Sequence, residues 1–416
     1  MFGQLFISEC RQLTRSIIYW LSILALAFTF VAQLGGAEIM AEPKKGQAEY
    51  GYKQSDDQDV IMRMTLGHLL EEYSWRSYTT YPVGFYKSVT LSEEEEARIG
   101  EIIEETTGLS GTDQVEKKIS AWYNAQTGGG EDGPADMAEP MEIEPAAGLD
   151  FARFETLMDK ADHILGGGSS YAKEYRGSNA KVPMTYEDAM DAYRELVEKD
   201  SLTGGYARLF SDYMVIFLGI LPVFLAVSRG LKDRRAGMQD LIYTRQCPSA
   251  VIIPGRYLAM VVMLVIPVLV ISVFPLLGCL KYASAAGISA DVFAYVKYTF
   301  GWLLPTVMAV TAVGMVLTEL TGTVIAVLVQ GAWWFISVFA GTGRIEGGMY
   351  GWNLIPRHNT ELNWKGYHEN FPQLASNRIF YACFAIVLVV CAAFIYSQKR
   401  KGRYRLSWKN TGRSKK

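Results

Sequence analysis

The chain has 416 residues, of which 50% are hydrophobic and 20% charged, with a formal net charge of −3. That balance carries no strongly basic footprint, so nucleic acid is not an expected partner. A mean hydropathy of +0.09 fits either one large soluble protein or a membrane protein averaged with a polar domain.

The opening stretch MFGQLFISECRQLTRS spaces Phe2, Leu5, Phe6 and Leu13 along one helical face, with Arg11 and Arg15 away from it. An amphipathic interfacial helix is expected over 1–15. Six runs free of Asp, Glu, Lys and Arg follow at 16–34, 213–228, 257–280, 298–318, 320–342 and 379–397, each roughly 16 to 24 residues long. At about 1.5 Å per residue, most can cross a hydrocarbon core of about 30 Å. Six such runs exceed what a soluble core can hide, and the first outlasts the apolar stretch of a cleaved signal peptide. Transmembrane helices are therefore expected over 16–34, 208–228, 257–280, 297–318, 323–342 and 378–397. Because the second run is short, its helix should begin earlier and leave Asp212 at the water interface, where a charge is cheap.

Residues 35–207 separate the first two spans and carry a net charge of about −18, which leaves about +15 on the rest. Four helices are expected there, in DDQDVIMRMTLGHLLEEYSW, LSEEEEARIGEIIEETTG, LDFARFETLMDKADHILGGG and MTYEDAMDAYRELVEKDSLTGG, from apolar residues at i, i+3 and i+4. Ser92 with Glu95 forms a capping box, and Gly166–Gly168 stop the third helix. The Gly-, Pro- and acid-rich 124–148 is expected to be a disordered linker.

After the last span, 398–416 is a basic tail containing Lys399, Arg400, Lys401, Arg403 and Arg405. Lys and Arg are retained on the cytoplasmic side, so both termini are expected inside and 35–207 outside. The segments 281–296 and 343–377 then become outer loops, the second re-entrant, and 319–322 a cytoplasmic turn. Arg344, Arg357 and Lys365 in that second loop, with Arg378 at its end, run against the rule, although Glu346, Glu361 and Glu369 accompany them. No Asn-x-Ser/Thr acceptor occurs in 35–207, which fits a bacterial plasma membrane.

No chemistry of bond-making emerges. The five cysteines lie in or beside spans or basic segments, and the four histidines show no ligand spacing, so neither a disulfide framework nor a metal site is expected. No Gly-x-x-x-x-Gly-Lys-Ser/Thr occurs; LGGGSSYAK lacks the Lys-Ser/Thr that would reach phosphate and magnesium. No catalytic or cofactor-binding residue is assigned.

The connector 229–256 is different. It carries six Lys/Arg, and Met238, Leu241, Ile242 and Arg245 fall at helical spacing. Such an apolar stripe must be covered, either by a membrane surface with arginines on anionic lipid or by a partner's groove. Here the chain resembles a membrane subunit of a type-2 ABC transporter, a six-span permease class that exports substrates. Asp233 and Gly237 match the start of that family's coupling helix, Asp240, Leu241 and Ile242 its core, Pro248 and Ser249 its turn, and Gly255 with Arg256 the opening of the next span. The start is richer in arginine than the family pattern, and Arg256 stands where the family has Lys. The turn LTELTGT and the aromatic loop before the last span are also similar.

The resemblance implies an all-α membrane protein with six transmembrane helices, an amphipathic N-terminal helix, a cytoplasmic coupling helix and a mainly helical extracellular domain. It further implies a cytoplasmic ABC nucleotide-binding ATPase as partner, holding ATP and Mg that this chain does not bind, and a second permease copy or paralogue completing a dimer through spans one, two and five. Asp233, Gly237, Met238, Asp240, Leu241, Ile242 and Arg245 would contact the ATPase. Charge-poor spans favour an amphipathic, peptide or lipid-like substrate. A non-transporting receptor with an extracellular ligand-binding domain is the alternative, and an ion-coupled carrier stands third.

Overall fold

The computed structural model describes residues 2–36, 38–81, 87–127, 140–173, 175–238, 242–244, 247–339 and 350–403. In chain order the helices are α1 Phe2–Leu13, α2 Ile17–Leu34, α3 Gln58–Trp75, α4 Glu93–Thr107, α5 Thr112–Thr127, α6 Phe151–Ile164, α7 Tyr186–Arg194, α8 Thr203–Leu218 and α9 Leu221–Arg235. They continue with α10 Ser249–Ala286, α11 Ala294–Thr321 (which contains a π-helical turn at Thr299–Leu303), α12 Ile325–Phe339, α13 Trp364–Glu369 and α14 Phe371–Arg400. Short strands β1 Tyr52–Gln54, β2 Tyr78–Thr80, β3 Lys87–Val89 and β4 Lys181–Pro183 form two antiparallel ribbons, β1 with β4 and β2 with β3. The described residues divide into two compact units: those up to Glu42 together with those from Asp191 onward form one, and Pro43–Met190 the other.

The first unit is a bundle. Five of its helical stretches are long and apolar enough to cross a membrane: α2, Thr203–Arg235, α10, α11 and α14. The sixth apolar run appears as α12, whose 15 residues make about 22 Å of helix against a core of about 30 Å. Its start follows Gly322, which adopts a φ of 65° and closes α11 by donating its N–H to the Thr318 carbonyl. Inside the bundle Phe210, Tyr295, Trp302 and Val310 are buried together, whereas Leu24, Phe28, Val31, Val390 and Phe394 leave more than half their surface open. Apolar side chains on both the inner and outer faces are what a lipid-embedded helix requires.

The second long crossing is broken. Pro222 has no N–H, so α8 ends at Leu218 and α9 starts afresh at Leu221. The freed carbonyls do not go unpaired: Gln330 donates to the Gly219 carbonyl at 2.7 Å and the Trp334 indole to that of Ile216 at 2.7 Å. An added Cβ at Gly219 would meet Ile355 at 2.6 Å, so the break also needs a residue without a side chain.

Helix ends differ from the sequence expectations in one systematic way. Because α9 continues to Arg235 and α10 already begins at Ser249, the connector expected over 229–256 contracts to 236–248. At 38 residues α10 is about 57 Å long and outruns the hydrocarbon layer. Apolar composition marks only the part of such a helix that lipid would touch.

In the second unit three of the four expected helices form and the fourth, α7, begins, and the capping box is present, with Ser92 and Glu95 bonded reciprocally. Its core gathers Leu66, Leu69, Leu70, Ile99, Ile103 and Phe154. The disordered linker expected over 124–148 is corrected at both ends. Helix α5 reaches Thr127, and Met141 and Ile143 are buried in the core, where the Ile143 N–H donates to the Arg63 carbonyl. Residues 128–139 lie outside the described residues.

Candidate functional site

Two poles of the bundle are defined by polar contacts. At one, Glu9 of α1 takes both ends of the Arg229 guanidinium, at 2.5 and 2.6 Å, and also receives Arg256 at 3.3 Å. Asp233 bonds the same two arginines, at 3.4 and 2.6 Å. Two carboxylates and two guanidiniums alternate, with none of the four side chains more than 20% exposed. Neutral overall and bonded on every side, such a quartet tolerates burial, whereas loss of one member leaves a charge stranded. It fastens α1, the end of α9 and the start of α10. Alongside it, Arg234 donates to the Gly322 carbonyl at 3.0 Å and Lys399 of α14 pairs with Glu319 of α11 at 3.7 Å.

The connector leaves from this quartet. Gly237, at a φ of 64°, lets the chain reverse: its N–H donates to the Arg234 carbonyl and that of Met238 to the Asp233 carbonyl. This is a Schellman close, which any side chain at 237 would strain. Met238 is 46% exposed, and the Ile242 N–H reaches back to its carbonyl. Tyr243 stacks edge-on against Tyr396 of α14, and Arg400 donates to the Tyr243 carbonyl at 2.7 Å. A short segment is thus held at both ends with Met238 left outward.

The seven residues expected to contact an ATPase therefore separate. Asp233 is turned inward on Arg229 and Arg256, Gly237 closes the helix, Met238 is open to contact, and Ile242 is half-buried beside Glu319 and Lys399. Asp240, Leu241 and Arg245 lie outside the described residues.

The opposite pole holds charges that the sequence reading placed elsewhere. Asp212 is not at a water interface: it is fully buried, and its carboxylate accepts from Arg357 at 2.7 Å and from the backbone N–H groups of His358 and Asn359 at 2.6 and 3.2 Å. One turn earlier Arg208, also fully buried, grips Asp200 with two bonds and donates to the Glu361 and Leu362 carbonyls at 2.8 and 3.0 Å. Arg378 is 5% exposed and is wrapped by neutral acceptors, among them Thr306 Oγ1 at 2.8 Å and the Trp302 carbonyl at 3.1 Å. The segment before the last helix is thereby drawn into the bundle. Arg357 and Arg378 are internal fasteners rather than exposed loop charges.

His358 sits at the centre of this pole. Its Nε2 lies 3.1 Å from the Leu362 carbonyl, which can only accept, so Nε2 carries the proton and Nδ1 accepts from the Tyr350 hydroxyl at 2.9 Å. Burial first, and then the Arg208 charge, hold its pKa down at about 3. Neutral and doubly bonded, it ties a loop to a bundle. Spacing in the sequence carried no signal for these pairs, since Asp212 and Arg357 are 145 positions apart.

Among the described residues, no group of three or more His, Cys, Asp or Glu is arranged to hold a metal. Compared with protein-family models, curated proteins and solved structures, the chain matches none.

Proposed function

We propose that this chain is the permease subunit of an ATP-driven exporter of the type-2 ABC class, with hydrolysis carried out by a separate cytoplasmic subunit. In this reading six helices cross the membrane, α12 being the fifth. Both termini and the charge quartet face the cytoplasm of a bacterial cell, and the 43–190 unit lies outside. A second permease copy or paralogue completes the path for an amphipathic, peptide or lipid-like substrate.

The observation that carries the proposal is the connector itself. A groove on an ATPase needs a small, outward, partly apolar surface whose displacement is transmitted to several helices at once. Met238 offers the surface. Asp233 bonds to Arg256 behind it, and Tyr243 packs on Tyr396 beyond it, so a push on the connector reaches α9, α10 and α14. A polypeptide whose sequence has no phosphate-binding loop would use such a lever to receive work done elsewhere.

The test is co-purification with a candidate ATPase encoded beside this gene. A stable complex should form, and Met238→Asp should weaken it at least about tenfold, since a desolvated charge replaces an apolar anchor. Retention of full affinity and of permease-stimulated ATP hydrolysis by Met238→Asp would remove the lever from the account.

A further inference from the structure

We infer that the groove between the α1–α2 corner and the end of α9 holds the phosphate headgroup of an anionic diacyl phospholipid. This inference requires only that α2 lies in a membrane and does not depend on the permease reading.

The cavity measures about 490 Å³ and is lined by Leu13, Arg15, Ser16, Ile18, Lys232 and Arg235, among others. Its charge is one-sided. Arg229 also borders the cavity, but Glu9 and Asp233 already neutralise it together with Arg256. The remaining cations have no such partner: among the described residues no carboxylate comes within ion-pair range of Arg15, Lys232 or Arg235, and Lys232 donates to the neutral Gln12 amide at 2.9 Å. Three uncompensated positive charges on one cavity call for an anion.

The surroundings identify that anion as lipid. Trp20, 57% exposed, donates its indole N–H to the Thr14 carbonyl at 2.8 Å, the amphipathic placement that tryptophan takes at a headgroup layer. Arg15 and Ser16 are therefore at headgroup depth. From there Ile17, Leu21, Leu24, Phe28 and Val31 of α2 present an outward apolar strip, each more than half exposed, along which acyl chains can run. Leu13 and Ile18 give the cavity itself an apolar wall. Free phosphate would satisfy the cations but leave the strip uncovered. A diacyl phosphodiester meets both requirements.

The experiment is native mass spectrometry of the full chain in mild detergent, titrated with phosphatidylglycerol or phosphatidylcholine. At least one phosphatidylglycerol should be retained per protomer in preference to phosphatidylcholine. The triple variant Arg15→Gln/Lys232→Gln/Arg235→Gln should retain it at least about tenfold more weakly, and Arg235→Gln alone about fivefold, in line with the attraction of each basic residue to an anionic headgroup. A tail variant that removes equal charge, Lys409→Gln/Arg413→Gln/Lys415→Gln, should retain lipid like the parent. The inference is overturned by any of three results: equal retention of both lipids by the parent chain, loss of lipid by the tail variant equal to that of the triple variant, or full displacement of the lipid by millimolar inorganic phosphate. Circular dichroism and the charge-preserving Lys232→Arg variant, expected to hold lipid normally, separate lost binding from lost fold.

Discussion

The imidazole of His358 is enclosed by Tyr350, Leu362 and the Arg208 charge, with no exposed surface, and it stays neutral far into acid. In the unfolded chain the same ring takes a proton near pH 6.5. Above that pH neither state binds the proton and the contribution to stability is complete. As pH falls from 6.5 towards about 3, only the unfolded chain is protonated, and stability drains away. At pH 5 the loss from this one group is about 2 kcal/mol. Thermal midpoints of the purified protein should fall between pH 7 and pH 5, and His358→Gln, which can still bond Tyr350 and Leu362, should flatten that part of the profile. Identical pH profiles for both proteins would show that the ring is reached by solvent. The sequence gives this residue away only as one of four histidines without a ligand spacing. Its burial is decided by Asp212 and Arg208, which belong to a helix some 146 positions earlier.

For helices, legibility followed what each one packs against. The apolar runs announced the bundle because lipid-facing and core-facing sides are both apolar there, and Ser92 with Glu95 announced the start of α4. Helix α5 went unread although Val115, Ile119 and Trp122 stand at spacings of four and three, all packed on the second unit's core. The charges of α8 misled in the other direction: a charge at the edge of an apolar run reads as a membrane boundary, but here Arg357 and the N–H groups of His358 and Asn359 descend to meet Asp212. Composition also hid the ordered part of 140–148, where Met141 and Ile143 are set among acids and prolines. A sharp check exists at Gly67 of α3. A methyl group added there would fall 1.8 Å from the Met141 carbonyl, so Gly67→Ala must push that strand of chain off the core. Destabilisation of about 1–3 kcal/mol is expected, together with faster proteolysis around 140. Gly108→Ala, at an open helix end with a φ of 75°, should cost only about 1 kcal/mol and leave 140–148 protected. Equal cleavage in the two variants would mean that Met141 is not seated as described.

At the scale of the molecule, the poles make the topology testable without any knowledge of function. The end of α9, the start of α10 and the ends of α11 and α14 meet around the quartet and the Glu319–Lys399 pair, while Arg208, Trp302 and Arg378 belong to the other pole. Single cysteines placed at Lys401 and at Thr14, in a background without the native thiols, should share one accessibility to a membrane-impermeant maleimide in intact cells, and a cysteine at Ser92 should show the opposite. Labelling of Thr14 and Lys401 from opposite sides would place α12 outside the count of crossings.

The quartet also sets a schedule for biogenesis. Glu9 is synthesised 220 residues before Arg229 and 247 before Arg256, its two arginine partners. Until α9 and the first two turns of α10 have been synthesised, the docking site of α1 is incomplete and it must wait as a nascent amphipathic segment. Completion of that ionic knot marks the earliest moment at which the amino-terminal helix can be locked to the growing bundle.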